Sequence, residues 1–335
     1  EISLGLVGSE MCIRDRYKGV DVYRSTGYYQ NFSDAHNLMS YRHTRAHNSL
    51  LVNGIGQPYS TEGYGSVMRA MGGQHISYCL GDASHAYRGI SNDPMWVGYF
   101  KQAGIEQTPE NGFGATPLTK YRRHVLMLHP HTVIVYDELE ASEAVRWEWL
   151  LHSPTEFKID AVKKTLSTDN KTKGWVAVTQ LFGGHVFTLS QTDRFVVPPA
   201  ITGAEYPNQW HLTARVDGCS ATRFLAIIQV GDEAVSIVNR DGDTFNVGDW
   251  TIKAVLDASK APELTVSHRT EQAVFSYGTD NPALNGNFYS RQYTGSSLLY
   301  DEIDGAYQVV EMTDRSPIST RVVNCLLYTS PSPRD

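Results

Sequence analysis

HVLMLHPHTVIVYDELE (residues 124–140) decides the fold. Two apolar, β-branched runs flank a Pro-His-Thr break, which is how two antiparallel strands joined by a tight turn read in sequence. Just downstream, AVRWEWLLHS (144–153) alternates. Val145, Trp147, Trp149 and Leu151 fall on one face, and Arg146, Glu148, Leu150 and His152 on the other. The pattern recurs in GWVAVTQLFGGHVFTLSQT (174–192), TRFLAIIQV (222–230), AVSIVNRDGDTFNVGDWTIKAVL (234–256) and SSLLYDEIDGAYQVVEM (296–312), broken by Gly-Gly or Asp-Gly turns. No segment holds a helical period over a dozen residues, and no parallel βαβ rhythm appears. The expected fold is therefore all-β, a large antiparallel β-sandwich. FVVPPAITGAEYPNQ (195–209) is the most linker-like stretch and marks an expected break between sub-layers of one domain.

The chain has 335 residues, 41% of them hydrophobic and 19% charged, enough to bury a sizeable core. A formal net charge of -7 argues against a nucleic-acid partner, which needs a basic face. It leaves room for an anionic sugar, because a cleft can be locally basic inside an acidic protein. No apolar run reaches the roughly 20 residues that span a bilayer, and no secretory leader is visible. Leu6 to Arg16 and Cys325 to Arg334 can be encoded on opposite strands of one DNA segment, shifted by a frame. Two unrelated termini should not share an inverted repeat. Residues 1–16 and 325–335 are therefore expected to be translated sequencing adapter, leaving 17–324 as the sandwich domain. Cys79 and Cys219 are then the remaining cysteines, too few for a disulfide framework.

Twelve histidines lie in the body, none with zinc-finger or HExxH spacing. There is no P-loop and no GxSxG elbow; NGIGQ (53–57) reads as a glycine-rich hairpin end. The sharpest pair is His47 and Asn48 in TRAHNSLLVNG (44–54), at the mouth of an apolar strand before an Asn-Gly turn. Buried strands seldom begin with two groups that demand hydrogen bonds. Together an imidazole and a carboxamide can meet a carboxylate and move a proton, or they can simply cap the strand. In GDASHAY (81–87), Asp82 and His85 could ligate a metal or orient a neighbour, or form an Asx turn with Tyr87 packed on the sheet. His152 closes a strand beside Arg146 and Glu148, as a cleft group or a strand-end histidine. His129 and His131 read as solvated turn residues, and His211 as packed. Arg122 and Arg123 could read an anionic sugar or decorate a strand start.

Three stretches in series carry a resemblance. STGYYQNFSDAHNLMSYRHTRAHNSLLVNGIGQP (25–58), YCLGDASHAY (78–87) and YRRHVLMLHPHTVIVYDELEASEAVRWEWLLHS (121–153) resemble the C-terminal β-sandwich of heparinase II/III-like polysaccharide lyases, a group that includes oligo-alginate lyases. The likeness covers residues 21–154 well and fades over 209–324. It implies that an N-terminal α/α toroid, missing here, precedes the sandwich, with the active site in the cleft between them. It implies β-elimination of a uronic-acid-containing polysaccharide (alginate or heparin/heparan-like) in the bacterial periplasm or outside the cell, with the tyrosine base/acid on the toroid. His47 matches the cleft-facing histidine of the motif, with Asn48 as its partner. Arg45, His152 and Tyr87 are the expected substrate contacts. No cofactor is required, although some members hold zinc; His47, Asp82, His85 and His152 would then be the candidate ligands. The alternative is a non-catalytic, acidic-glycan-binding or structural sandwich. Convergence of His47, Arg45 and His152 on one wall favours the lyase, and an exposed aromatic platform favours the binding module.

Overall fold

The computed structural model describes residues 2–4, 15–17, 19–60, 62–171, 173–201, 203, 206–232, 238–278, 283–284, 287–288 and 296–315. Among them, two antiparallel sheets dominate. The larger has ten strands. Its main path runs Tyr64–Gly72, Ile76–His85, Leu118–Leu128, Thr132–Ser153, Trp210–Gly231, Trp175–Gly183, Thr165–Asn170 and Lys158–Asp160. Leu50–Val52 and Thr188–Thr192 join it at the far halves of the two long strands. The second sheet has seven strands, from Asn239–Asp241 through Thr244–Val247, Trp250–Ala254, Leu264–His268, Val274–Tyr277 and Ser297–Ile303 to Ala306–Met312.

The hairpin expected over residues 124–140 forms between Leu118–Leu128 and Thr132–Ser153, and His129 and His131 are exposed at its tip. The second strand does not stop where the sequence turns polar. It continues through Glu140–Glu143 for 22 residues and pairs along most of its length with the equally long Trp210–Gly231. The register slips between Val216 and Ala221, whose partners are Trp147 and Glu140. Such bulges bend a ladder. Side chains from both halves of these strands fill one core: Trp147, Trp149, Leu151, Leu212 and Ala214 meet Val133, Val135, Phe224, Ala226 and Ile228. The opposite face of the first half, Ile134, Tyr136, Leu225 and Ile227, packs on Phe245, Ile252, Val266 and Phe275 of the second sheet. The alternation read from AVRWEWLLHS thus buries both tryptophans completely. Truncating either would cost about 3–5 kcal/mol.

Residues 195–209 do not divide two sub-layers. The strands on either side, Thr188–Thr192 and Trp210–Gly231, pair directly with each other. The segment between them crosses over the loop of residues 25–41: His36 Nδ1 lies 2.6 Å from Val197 O, and Tyr28 donates its hydroxyl to Pro207 O at 2.6 Å. At the N-terminus, Ile2–Leu4 and Asp15–Tyr17 form a small three-stranded sheet with Val20–Tyr23. The rest of the expected adapter peptides, residues 1, 5–14 and 325–335, lies outside the described residues. Cys79 and Cys219 form no disulfide with each other.

Candidate functional site

The site grows out of the chain between Val20–Tyr23 and Leu50–Val52. After a π-helical turn, Asn37–Tyr41, a single 3₁₀ turn, Thr44–Ala46, delivers the chain to the strand mouth. His43 starts that turn and accepts the Arg45 backbone N–H on Nδ1 at 3.1 Å. His47 ends it, donating its backbone N–H to Thr44 O at 3.0 Å. Beyond the strand, Asn53 and Gly54 both have positive φ, 56° and 80°, the conformation an Asn-Gly turn needs.

The two residues of the His-Asn pair do different work. The His47 ring is half-buried; Nδ1 lies 2.8 Å from Ser25 Oγ and Nε2 3.3 Å from Arg42 O, a weak contact. Asn48 is buried, and its Oδ1 accepts the His152 backbone N–H at 2.7 Å and lies 3.0 Å from His152 Nδ1. The other ring nitrogen of His152 is 2.9 Å from Arg45 O. His211 stacks edge-on against His152 with ring centroids 5.0 Å apart, and Phe195 closes over His211. Burial, then the neighbouring His211, pushes the His152 pKa well below the usual imidazole value. Burial, then the Arg45 guanidinium, does the same to His43. Burial takes His211 down to about 4, against the opposing pull of the Arg45 carbonyl and Asp193. Around His47 the protein thus builds a shell of neutral imidazoles.

The other expected contacts are not brought to His47. The Arg45 backbone is part of the clamp, but its side chain turns away: Nε donates to His43 Nδ1 at 3.0 Å and Nη2 to Asn111 O at 2.7 Å. Tyr87 is buried in the core and donates its hydroxyl to Leu50 O at 2.5 Å. His152 is fully buried, so its ring is packed inside the protein and does not face solvent. Arg122 binds Asp82 and Asp314, and Arg123 holds buried Asp137 in a two-point pair at 2.7 and 2.8 Å. The zinc set is not assembled either. Asp82 is taken by Arg122 and the Ser84 N–H, while His85 is exposed and stacks on Tyr64. No three histidine, cysteine or acidic side chains converge as a metal site among the described residues. The donors do not fit a bound zinc.

Sequence reasoning missed an aromatic surface beside His47. Tyr29, Phe32, Trp96 and Tyr99 touch in a continuous chain, with centroids 5.3 to 6.3 Å apart. Arg42 reaches into it, its guanidinium carbon 4.9 Å from the Trp96 centroid and 5.8 Å from that of Phe32. Trp96 and Tyr99 come from the helix Pro94–Ala103, whose inner face packs Phe100 on Leu38, Met39, Tyr59 and Phe113. Ten residues are too few for a convincing period. Its ends were legible, though: Asp93 caps Met95 N, Pro94 opens the first turn and Gly104 closes the last at φ 68°.

Comparison with known proteins agrees with this architecture. Solved structures of similar fold include a heparinase III with methylated lysines, with a TM-score of 0.52 and 13% identity over 80% of this chain and 36% of that one. Another structure of heparinase III aligns with a TM-score of 0.52 and 13% identity, over 85% of this chain and 35% of that one. The heparan sulfate lyase HepC from Pedobacter heparinus gives a TM-score of 0.50 and 12% identity, over 77% and 35%. The chain therefore spans about a third of the length of these structures, and at such identities the likeness is one of fold. No curated protein matches it. Residues 16–213, more than half of the chain, match the family described as heparinase II/III-like, C-terminal. With that match and the two-sheet fold in agreement, the chain belongs to the heparinase II/III-like, C-terminal family.

Proposed function

We propose that this chain is the sandwich part of a lyase that cleaves uronic-acid-containing polysaccharide by β-elimination, with His47 on the cleft wall. One observation carries the reading. His43 and His152 are buried, whereas the His47 ring beside them is only half-buried and sits at the strand mouth with Nδ1 2.8 Å from Ser25 Oγ. Elimination requires that the uronate carboxylate be met by positioned donors, so that the C5 proton becomes acidic. A base then removes that proton while an acid protonates the leaving O4. His47 supplies a donor or proton relay to this step, and Asn48 with His152 fixes the backbone that carries it. The base/acid tyrosine, by family likeness, belongs to a preceding α/α toroid in the same protein. The site of action is periplasmic or extracellular; no helix long and apolar enough to cross a membrane occurs among the described residues.

The test is direct. The protein together with its toroid is incubated with alginate, heparan sulfate and hyaluronan, and the ultraviolet absorbance of the unsaturated uronate is followed. Growth of that absorbance on one polymer supports the reading. Cleavage without it, or no cleavage of any uronate polymer, overturns it. The exposed aromatic surface favours a second reading, a module that holds an acidic glycan without breaking it; binding without cleavage would select it.

A further inference from the structure

The Arg42 side chain is held in place without a counter-charge. Elsewhere the half-buried and buried arginines have acceptors: Arg45 on Asn111 O, Arg69 on Asp314, Arg123 on Asp137, Arg223 on the carbonyls of Val255, Asp257 and Lys260. Among the described residues no carboxylate, carbonyl or hydroxyl bonds to the Arg42 guanidinium, and its Nε is shielded from solvent with no hydrogen-bond partner. What holds the cation is its position over two rings, Trp96 and Phe32. Stacking uses the flat faces of a guanidinium and leaves its edge N–H fork for a planar or tetrahedral anion.

The surroundings say which anion. Phe32 and Tyr99 lie stacked, 5.8 Å apart and 12° from parallel. Phe32 is 43% exposed and Tyr29 49% exposed, and Tyr41 lies 6.3 Å beyond Tyr29. Pyranose rings present C–H faces that pack on such aromatic surfaces, and a carboxylate or sulfate on the ring would meet the fork in a charge-assisted, two-point contact. The surface also adjoins His47, since the Arg42 carbonyl is the group 3.3 Å from His47 Nε2. We infer that Arg42, bracketed by Trp96 and Phe32 with Tyr29 and Tyr99 flanking, is a binding subsite for one anionic pyranose of the polymer, next to the unit His47 acts on. The inference rests on the lyase reading for the identity of the polymer, but not for the existence of the subsite.

The experiment titrates this chain with three tetrasaccharides while following tryptophan fluorescence and binding heat. One is a sulfate-free oligouronate from alginate, one a sulfated heparan fragment, and one a neutral cello-oligosaccharide. Wild type is expected to bind at least one acidic ligand and to prefer it to the neutral one. Arg42→Gln should weaken that binding about tenfold or more, the usual loss for a charge-assisted pair. Arg42→Lys, which keeps the charge without the fork, should fall between. Tyr29→Ala, at the exposed rim, gives an independent loss should Arg42→Gln perturb the loop. Preference for the sulfate-free or the sulfated ligand identifies which anion the fork reads. In the toroid-containing protein Arg42→Gln should raise KM more than it lowers kcat, whereas His47→Ala should lower kcat. Unchanged acidic-ligand affinity in Arg42→Gln and Tyr29→Ala overturns the subsite, and so does equal binding of the neutral sugar. Either result leaves the lyase reading standing, because that is judged by absorbance growth in the wild-type protein. If the chain binds none of the three and its fluorescence responds only when the toroid is joined, the surface is a domain contact and the inference fails.

Discussion

His152 donates its backbone N–H to Asn48 Oδ1 at 2.7 Å, a bond between residues 104 positions apart. It ties the loop that carries His47 to the far half of the long strand Thr132–Ser153. The Asn48 backbone is tied as well, because its carbonyl accepts from Arg123 Nη1 at 2.6 Å. Replacing Asn48 by Ala would leave the buried His152 N–H without this acceptor, at a cost of about 1–3 kcal/mol. Urea unfolding of Asn48→Ala should show a loss of that size with an unchanged m-value. A loss below about 0.5 kcal/mol would mean that water or a shifted loop replaces the carboxamide.

The neutral histidine shell makes stability depend on pH in a defined window. His43, His152 and His211 all have folded-state pKa values below the ordinary one, His211 at about 4. The unfolded chain therefore binds more protons than the folded one once the pH drops below about 6.5. Their contribution is complete above that value and is lost progressively as the pH falls toward 4. Each group adds up to about 1.4 kcal/mol per pH unit to the slope. Burial opposes ionisation of Glu138, but the hydrogen bond from His124 and the Lys120 ammonium hold its pKa down. That carboxylate matters only below about pH 4.5, so it does not contribute to the window above. Denaturation free energies measured from pH 7.5 to 5 should fall steadily, and His211→Gln should flatten the decline by one proton's worth. A flat profile in the wild type would show that these imidazoles are protonated in the fold.

Arg123 is predicted to act on stability and not on sugar. Its guanidinium and Asp137 are both buried, and Trp149 Nε1 donates to the same carboxylate at 2.9 Å. Removing one member of such a pair strands the other charge in the core, at about 3–5 kcal/mol. Arg123→Ala should therefore lower the unfolding midpoint sharply. Glycan affinity of whatever fraction remains folded should be unchanged.

The sheets were legible in the sequence because alternation reports directly which face of a strand is buried. Trp147, Trp149 and Leu151 sit where their spacing put them. That 124–140 and 144–153 lie on one continuous strand was not legible, because a bulged, bent ladder tolerates polar residues such as Glu140 and Glu143 that a flat buried strand would not. The destinations of Arg45 and Tyr87 were not legible. Arg45 lies in a 3₁₀ turn whose side-chain directions are set by residues 109–112, more than sixty positions away. Tyr87 reads equally well as a cleft tyrosine or a core tyrosine until the strand Leu50–Val52 is laid beside it. His47 could be singled out because a histidine and an asparagine at the mouth of a buried strand each need a partner. Which partner each finds, Ser25 Oγ for one and His152 for the other, depends on contacts 22 and 104 residues distant.

The decisive comparison is between His47 and His131. His47 is half-buried beside Ser25 at the strand mouth, whereas His131 is exposed at the hairpin tip on the far side of the 22-residue strand. In the toroid-containing protein, His47→Ala removes a positioned donor or proton relay, and such groups typically contribute about 10²–10⁴-fold. The expected result is a fall in kcat of that order, read from unsaturated-uronate absorbance, with KM little changed. The fold should survive, since the Asn48–His152 and Asn48–Arg123 bonds that anchor the loop do not involve the His47 ring. His131→Ala should leave both kcat and the unfolding midpoint where they were. His47→Gln separates the roles further: it retains a hydrogen-bond donor near the imidazole position but cannot carry a proton. Partial activity in His47→Gln would mean that His47 mainly meets the carboxylate, and activity as low as His47→Ala would mean that it moves a proton. Equal kcat for the His47→Ala and His131→Ala proteins would reduce His47 to a cap on the strand Leu50–Val52.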